Sequence, residues 1–209
     1  MVIRVGLVGL GREIPKAGVI GPGTWGVLAH LPSLQHLPGY HLVAVANSSI
    51  ESARTAITNH KLPSEIKAYG SVSDLVKDPE VDLVVVSVRV GKHYEIAKPA
   101  LLAKKNVYVE WPLAVTTSQA EELAGLARVN NLRTIVGVQA RSDPLLAKVR
   151  ELVSTGKIGN VVSSTVLGAF SSLPKGVGWP ESAAYFLDIK SGGTAFHITF
   201  GHCEIINLS

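Results

Sequence analysis

Val2-Ile3-Arg4-Val5-Gly6-Leu7-Val8-Gly9-Leu10-Gly11 opens the chain. The apolar, β-branched run Val2–Val8 predicts a buried strand, and the glycines after it predict a tight turn at its carboxyl end. Runs of the same kind recur at His41–Ala46, Val81–Val86, Asn106–Val109 and Thr134–Val138. Helical patterns lie between most of them. Ser48 or Ser49 caps Ile50–His60, Tyr94–Ala103 follows the third run, and Thr116 with Gln119 starts a helix reaching about Asn130. Near-continuous apolar strands alternating with helices predict a parallel sheet covered on both faces. Right-handed crossovers then make residues 1–142 an α/β unit, a Rossmann-like doubly wound sheet.

Beyond it, Asp143-Pro144 starts a helix that Gly156 closes near Thr155. Val161–Phe170 reads as a long strand, Ser171–Gly178 as a loop, and Gly193–Leu208 as helix-compatible. Residues 143–209 are therefore expected to form a truncated α+β second domain. A unit of that size with one clear strand buries too little surface to be secure alone. Its bare strand edge invites pairing with another chain. Either the chain is a short version of a longer protein, or a homodimer supplies the cover.

Composition narrows the classes. The net charge is +4, but the 20 Lys and Arg are scattered with no basic run, which argues against a nucleic-acid partner. Apolar residues at 46% against 17% charged residues are enough for a real core. Cys203 is the single cysteine, so no internal disulfide forms, which fits a reducing compartment. No run approaches the ~18 apolar residues of a membrane span, and Met1–Val5 enters a strand without a secretory leader. The expected location is cytoplasmic, with the nucleus as the other choice.

A phosphate-binding turn needs glycines where the backbone approaches a pyrophosphate, and a helix N-terminus to supply N–H groups. Gly9 and Gly11 are the first two candidates, but Arg12-Glu13-Ile14 offers no third glycine in register. A glycine-rich insert follows, Gly18 to Gly26, before a helix beginning near Thr24. Two readings stand. The enlarged loop still presents Gly9, Gly11, Thr24, Trp25 and Gly26 to a dinucleotide, or it is a surface loop that has lost the phosphate site. The second strand ends Ala46-Asn47-Ser48-Ser49 with no carboxylate for an adenosine ribose. Asn47 can bond a ribose hydroxyl, and this neutral end with Ser48 tolerates a 2′-phosphate. The cofactor is NAD or NADP, with a slight tilt to NADP.

Several stretches together resemble the Gfo/Idh/MocA oxidoreductases, and more closely the fungal branch that includes the galactose/lactose-metabolism regulatory repressor of yeasts. They are Ile3–Leu10, Val84–Val88 with His93-Tyr94, Tyr108–Ala114, Gln119–Leu123, Gly137–Arg141 and Thr199–His202. Family members are substantially longer. The resemblance implies a nicotinamide dinucleotide and, at the end of the fifth strand, a Glu-Lys-Pro whose lysine holds substrate and cofactor. Here the triplet is Glu110-Trp111-Pro112. The family's aspartate, four residues before its catalytic histidine, falls on Ile198 if His202 is that histidine. A proton-transfer group must reach the substrate within about 2.6–3.2 Å, which Trp111 and Ile198 do not offer.

His202 is thus the first catalytic candidate, and His197, near Lys190 and Asp188, the second; each also reads as structural. The resemblance places Ser87, Val88, Arg89, Glu110, Trp111 and Gln139 at the cofactor, with His93 as a cap or a supporting contact. Trp111 either stacks on a ligand or fills the slot the lysine left. Arg141 reads as an interdomain ion-pair member. No His, Cys or carboxylate spacing suits a metal. Three functions follow. The first is an NAD(P)-dependent oxidoreductase acting on a small hydroxyl or carbonyl metabolite. The second is a non-catalytic dinucleotide-binding protein acting through a regulatory protein partner. The third is a non-redox isomerase or cyclase of an apolar metabolite, its pocket shaped by Trp111, Trp179 and Phe186.

Overall fold

The computed structural model describes residues 2–14, 23–165 and 181–204. Six strands form one parallel sheet: β1 (Ile3–Val8), β2 (Tyr40–Ala46), β3 (Lys67–Tyr69), β4 (Leu83–Val86), β5 (Asn106–Glu110) and β6 (Thr134–Gly137). Their spatial order is β3-β2-β1-β4-β5-β6. That is the doubly wound order with a reversal between β1 and β4, where ligands of such sheets bind beyond the strand ends. The expected α/β fold is therefore present.

The helices follow their caps. A π-helical turn Gly26–His30 runs into α1 (Leu31–His36), and the helical segment begins at Thr24. Ser49, rather than Ser48, caps α2 (Ile50–Asn59) by accepting from Ser52 N–H, and Ser71 caps the short α3 (Val72–Leu75). The helix α4 (His93–Leu102) follows β4. In α5 (Thr117–Val129) the Thr116 hydroxyl accepts from Gln119 N–H, but Gln119 Oε1 is buried without a partner, so only half of the capping box forms. Asp143 caps α6 (Pro144–Ser154), and α7 (Ala195–Glu204) closes the described chain.

Alternating side chains divide the core into two layers. Val84, Val86, Val107 and Val109 pack with Leu75, Ala97, Leu101 and Leu123 on one face. Val5, Leu7, Val45 and Val85 pack with Val27, Leu31, Ala53 and Ala56 on the other. β3 was not read from the sequence. It is a three-residue edge strand, and Lys67 points outward to Asp78 and Glu80.

Among the described residues of 143–209 there are helices and turns only. Val161–Thr165 pair with no strand, and the rest of the expected strand (166–170), the Ser171–Gly178 loop and Trp179 lie outside the described residues, as do Gly18 and Gly21. No helix is long and apolar enough to cross a membrane among the described residues.

Candidate functional site

The glycine turn is built from two separated pieces. Gly9, at φ 95°, ends β1 against Ser87 O and Val88 Cγ1, which leave no room for a Cβ. Gly23, and not Gly11, has the left-handed backbone of the second tight position. Gly23 has φ 74°, and a Cβ on it would fall 2.6 Å from Gly11 N and 3.0 Å from Gly9 O. Gly26 comes equally close to Gly9, its Cβ position lying 3.0 Å from Gly9 O. Gly11 is no longer an open donor, since its N–H bonds Gly23 O at 3.4 Å. Gly9-Leu10 followed by Gly23-Thr24-Trp25-Gly26 thus repeats the order G-x-G-x-x-G, with residues 11–22 inserted between them in the sequence. The signal was in the sequence, but contiguous reading puts Arg12 to Ile14 where the last glycine should be.

The exit from this turn is tied to α2. His60 Nε2 lies 2.7 Å from Gly11 O, and Asn59 Nδ2 donates to Arg12 O at 2.9 Å. Asn47, at the end of β2, donates its amide to Leu10 O at 3.0 Å and to Ser52 O at 3.3 Å. Its amide nitrogen is therefore held by the turn, while Ser48 beside it is exposed. Trp25 is also exposed, on the first turn of the helical segment with Thr24.

At the end of β4, Ser87 is buried beneath Gly26, and Arg89 sits 4.6 Å above the Tyr185 ring, which stacks on Phe186. His93 is fully buried, its Nδ1 2.7 Å from Pro112 O and its Nε2 3.0 Å from Val88 O. It ties the β4 and β5 loops together. Burial pushes its pKa down, against the two carbonyls and the Glu110 charge. A neutral ring has one N–H for those two acceptors.

β5 delivers the centre of the site. Glu110 Oε1 lies 2.6 Å from His30 Nε2, and Gln139 donates to Oε2 at 3.3 Å. His30 meets the Tyr108 ring edge-on at 5.2 Å. Burial, then the Glu110 charge and hydrogen bond, push the Tyr108 hydroxyl well above its ordinary pKa. His30 escaped the sequence reading, because nothing announces contact with Glu110 eighty positions away, whereas Tyr108, two residues before Glu110 on the same face of β5, could have been paired with it from the period-2 alternation.

Trp111 turns toward α7 rather than toward open space. Its Nε1 donates to His197 O at 3.0 Å, and a Cβ on Gly201 would collide with indole Nε1, Cε2 and Cζ2. The indole therefore fills the space between the end of β5 and α7. His197 Nδ1 is 2.9 Å from the Thr194 hydroxyl, which also accepts the His197 N–H. His202, one residue past Gly201, is half-buried; burial lowers its pKa and the Glu110 charge opposes that. No metal-binding cluster occurs among the described residues.

The known proteins most similar to this chain agree with this architecture. The family model of an oxidoreductase family with an NAD-binding Rossmann fold matches residues 15–138. The chain belongs to the Gfo/Idh/MocA oxidoreductase family. Residues 144–207 match the Gal80p C-terminal domain. Dehydrogenase aclE of Aspergillus oryzae is 39% identical over 79% of this chain and 43% of its own length. A super-repressor mutant of Gal80p from Saccharomyces cerevisiae superimposes with a TM-score of 0.75 at 27% identity, over 99% of this chain and 52% of that one. A myo-inositol dehydrogenase from Lactobacillus casei, solved with NAD(H) and myo-inositol, gives 0.63 at 29% identity over 76% of this chain and 43% of that one. The chain thus spans about half the length of the relatives it matches.

Proposed function

We propose that this Gfo/Idh/MocA member binds NADP, and NAD more weakly, across the ends of β1, β2, β4 and β5, and oxidises or reduces a small hydroxyl or carbonyl metabolite. The reassembled cradle of Gly9, Gly23 and Gly26 carries this reading, because Gly9 and Gly23 admit no Cβ, Gly26 packs tightly on Gly9, and the helical segment behind them begins at Thr24. The residues fit the cofactor: that backbone would hold its phosphates, and Ser87, Val88, Arg89 and Glu110, at and just after the ends of β4 and β5, would meet its nicotinamide end. When bound, the nicotinamide ring supplies hydride acceptance or donation. The protein's own part is to orient the substrate and move a proton, with the half-buried His202 as the candidate group and His197 bonded to Thr194. The neutral end of β2 supports the preference for NADP.

A second reading, a dinucleotide-binding regulatory protein, is favoured by Trp111, which replaces the lysine and binds α7 instead of the crevice. A domain boundary near residue 142 is supported by the two matched ranges.

Thermal-shift titration with both nucleotides, oxidised and reduced, tests the shared step. At 100 times Kd a ligand adds about 2.7 kcal/mol of stability. NADP is expected to act at lower concentration than NAD, and Gly23→Ala is expected to lose the effect. No stabilisation by any of the four would refute nucleotide binding. Stabilisation without turnover across a panel of polyols and aldehydes selects the regulatory reading.

A further inference from the structure

Three consecutive backbone carbonyls at the exit of the first turn each meet a side-chain donor from outside it. Asn47 Nδ2 donates to Leu10 O at 3.0 Å, Asn59 Nδ2 donates to Arg12 O at 2.9 Å, and His60 Nε2 lies 2.7 Å from Gly11 O. A carbonyl only accepts, so Nε2 carries the ring hydrogen in that last bond. All three donors share one anchor. Asn47 also donates to Ser52 O in the first turn of α2, and Asn59 and His60 stand at the other end of that helix. The helix is seated on the sheet through Ala53 and Ala56, both fully buried. By contrast, the direct bond between the two parts of the cradle, Gly11 N–H to Gly23 O, is 3.4 Å long, beyond the ordinary range of about 2.7–3.2 Å. The Leu10–Gly11 peptide is trans and planar. Drawing its oxygen to Asn47 therefore turns its N–H the other way, to Gly23 O.

We propose that Asn47, Asn59 and His60 are positioning residues of the nucleotide site, a clamp that does for this divided turn what a directly attached helix does for an unbroken one. This rests on reading the crevice as a nicotinamide-nucleotide site. In a contiguous G-x-G-x-x-G the helix starts at the glycines and fixes their backbone. Here residues 12–22 separate Gly11 from Gly23, so the chain itself fixes Leu10 to Arg12 from one side only. The α2 clamp fixes them from the side. It holds three carbonyl oxygens on α2, away from phosphate groups that their dipoles would repel, and keeps the Leu10–Gly11 peptide aimed at Gly23. Asn47 acts on the cofactor through Leu10, not by contact with the ribose, because its amide hydrogens go to Leu10 O and Ser52 O.

The experiment measures NAD and NADP binding by calorimetry, and amide exchange in the nucleotide-free protein, for the full chain and for Asn47→Asp, Asn59→Asp, His60→Ala and His60→Gln. The two aspartates keep the shape of the side chain and lose the donor. Asn47→Asp and His60→Ala are each expected to weaken both nucleotides about tenfold, and Asn59→Asp less, because the first two bonds are partly buried and the third is exposed. His60→Gln still carries a donor and is expected to retain most of the affinity. Exchange of the Gly11 N–H should quicken in the same order. A role confined to holding α2 would quicken exchange within α2 alone and leave both affinities unchanged, and that result would overturn the proposal. Tighter NAD binding by Asn47→Asp would also overturn it, since that is the mark of a carboxylate meeting the ribose directly. Faster Gly11 exchange in variants of a chain that binds neither nucleotide would keep the clamp and refute the nucleotide reading.

Discussion

Trp111 shows how one side chain can change what a strand end does. A lysine there would present an amine to the crevice, whereas the indole joins two parts of the chain through one hydrogen bond and one flat contact. Trp111→Phe keeps most of the ring and deletes the N–H. A typical net hydrogen bond contributes roughly 0.5–1.5 kcal/mol, so the variant should unfold in urea with ΔG lower by about 1 kcal/mol. A loss of several kcal/mol would mean that the indole packing, and not the bond to His197 O, dominates. The residue scale is also where sequence reading fell short. Glu110 and Trp111 were noticed because they sit in a recognisable triplet at a strand end, and the structure places both at the end of β5. His30 was not, since its link to Glu110 exists only after β1, the glycine turn and β5 have come together.

At the level of elements, the apolar runs were a reliable guide. β1, β2, β4, β5 and β6 each fall within two residues of the expected bounds; the central strands are apolar because they are buried on both faces, while the edge strand β6 was read from its apolar run although it is largely exposed. β3 has no such obligation at the sheet edge and went unread. The split cradle went unread for another reason. A motif defined by spacing is invisible when residues 11–22 interrupt it, although the glycines themselves are in order. Helix α6 is the opposite case, plain in sequence yet without one buried residue. Asp143 Oδ1 accepts from Leu145 N at 2.8 Å and Leu146 N at 3.4 Å. A short helix whose apolar face, Leu146, Val149 and Val153, is only half-buried is marginal, so its cap matters more than usual. Asp143→Ala should cost about 1 kcal/mol locally, seen as faster amide exchange across α6 with the global urea midpoint unchanged. Equal exchange in both proteins would show that something else holds the helix.

For the whole molecule, the buried His93 and the half-buried His202 contribute to the acid limit. Burial holds His93 and His202 below the ordinary imidazole pKa near 6.5. The unfolded chain then binds protons first as pH falls, so stability rises with pH in this window. It should be fully present above about pH 6.5 and decline below it, before the carboxylates of Asp78 and Asp82, both held low, begin to protonate. Urea midpoints at pH 7.5 and 5.5 check this, and equal values would contradict it. A second whole-molecule consequence comes from the bond between Gly11 N–H and Gly23 O. That bond holds the two ends of the 11–23 span together whatever number of residues separates them, and each doubling of a closed span adds only about 0.6 kcal/mol of closure entropy. Insertions or deletions between Gly11 and Gly23 should therefore cost the sheet little, which makes this stretch a tolerant place for new sequence.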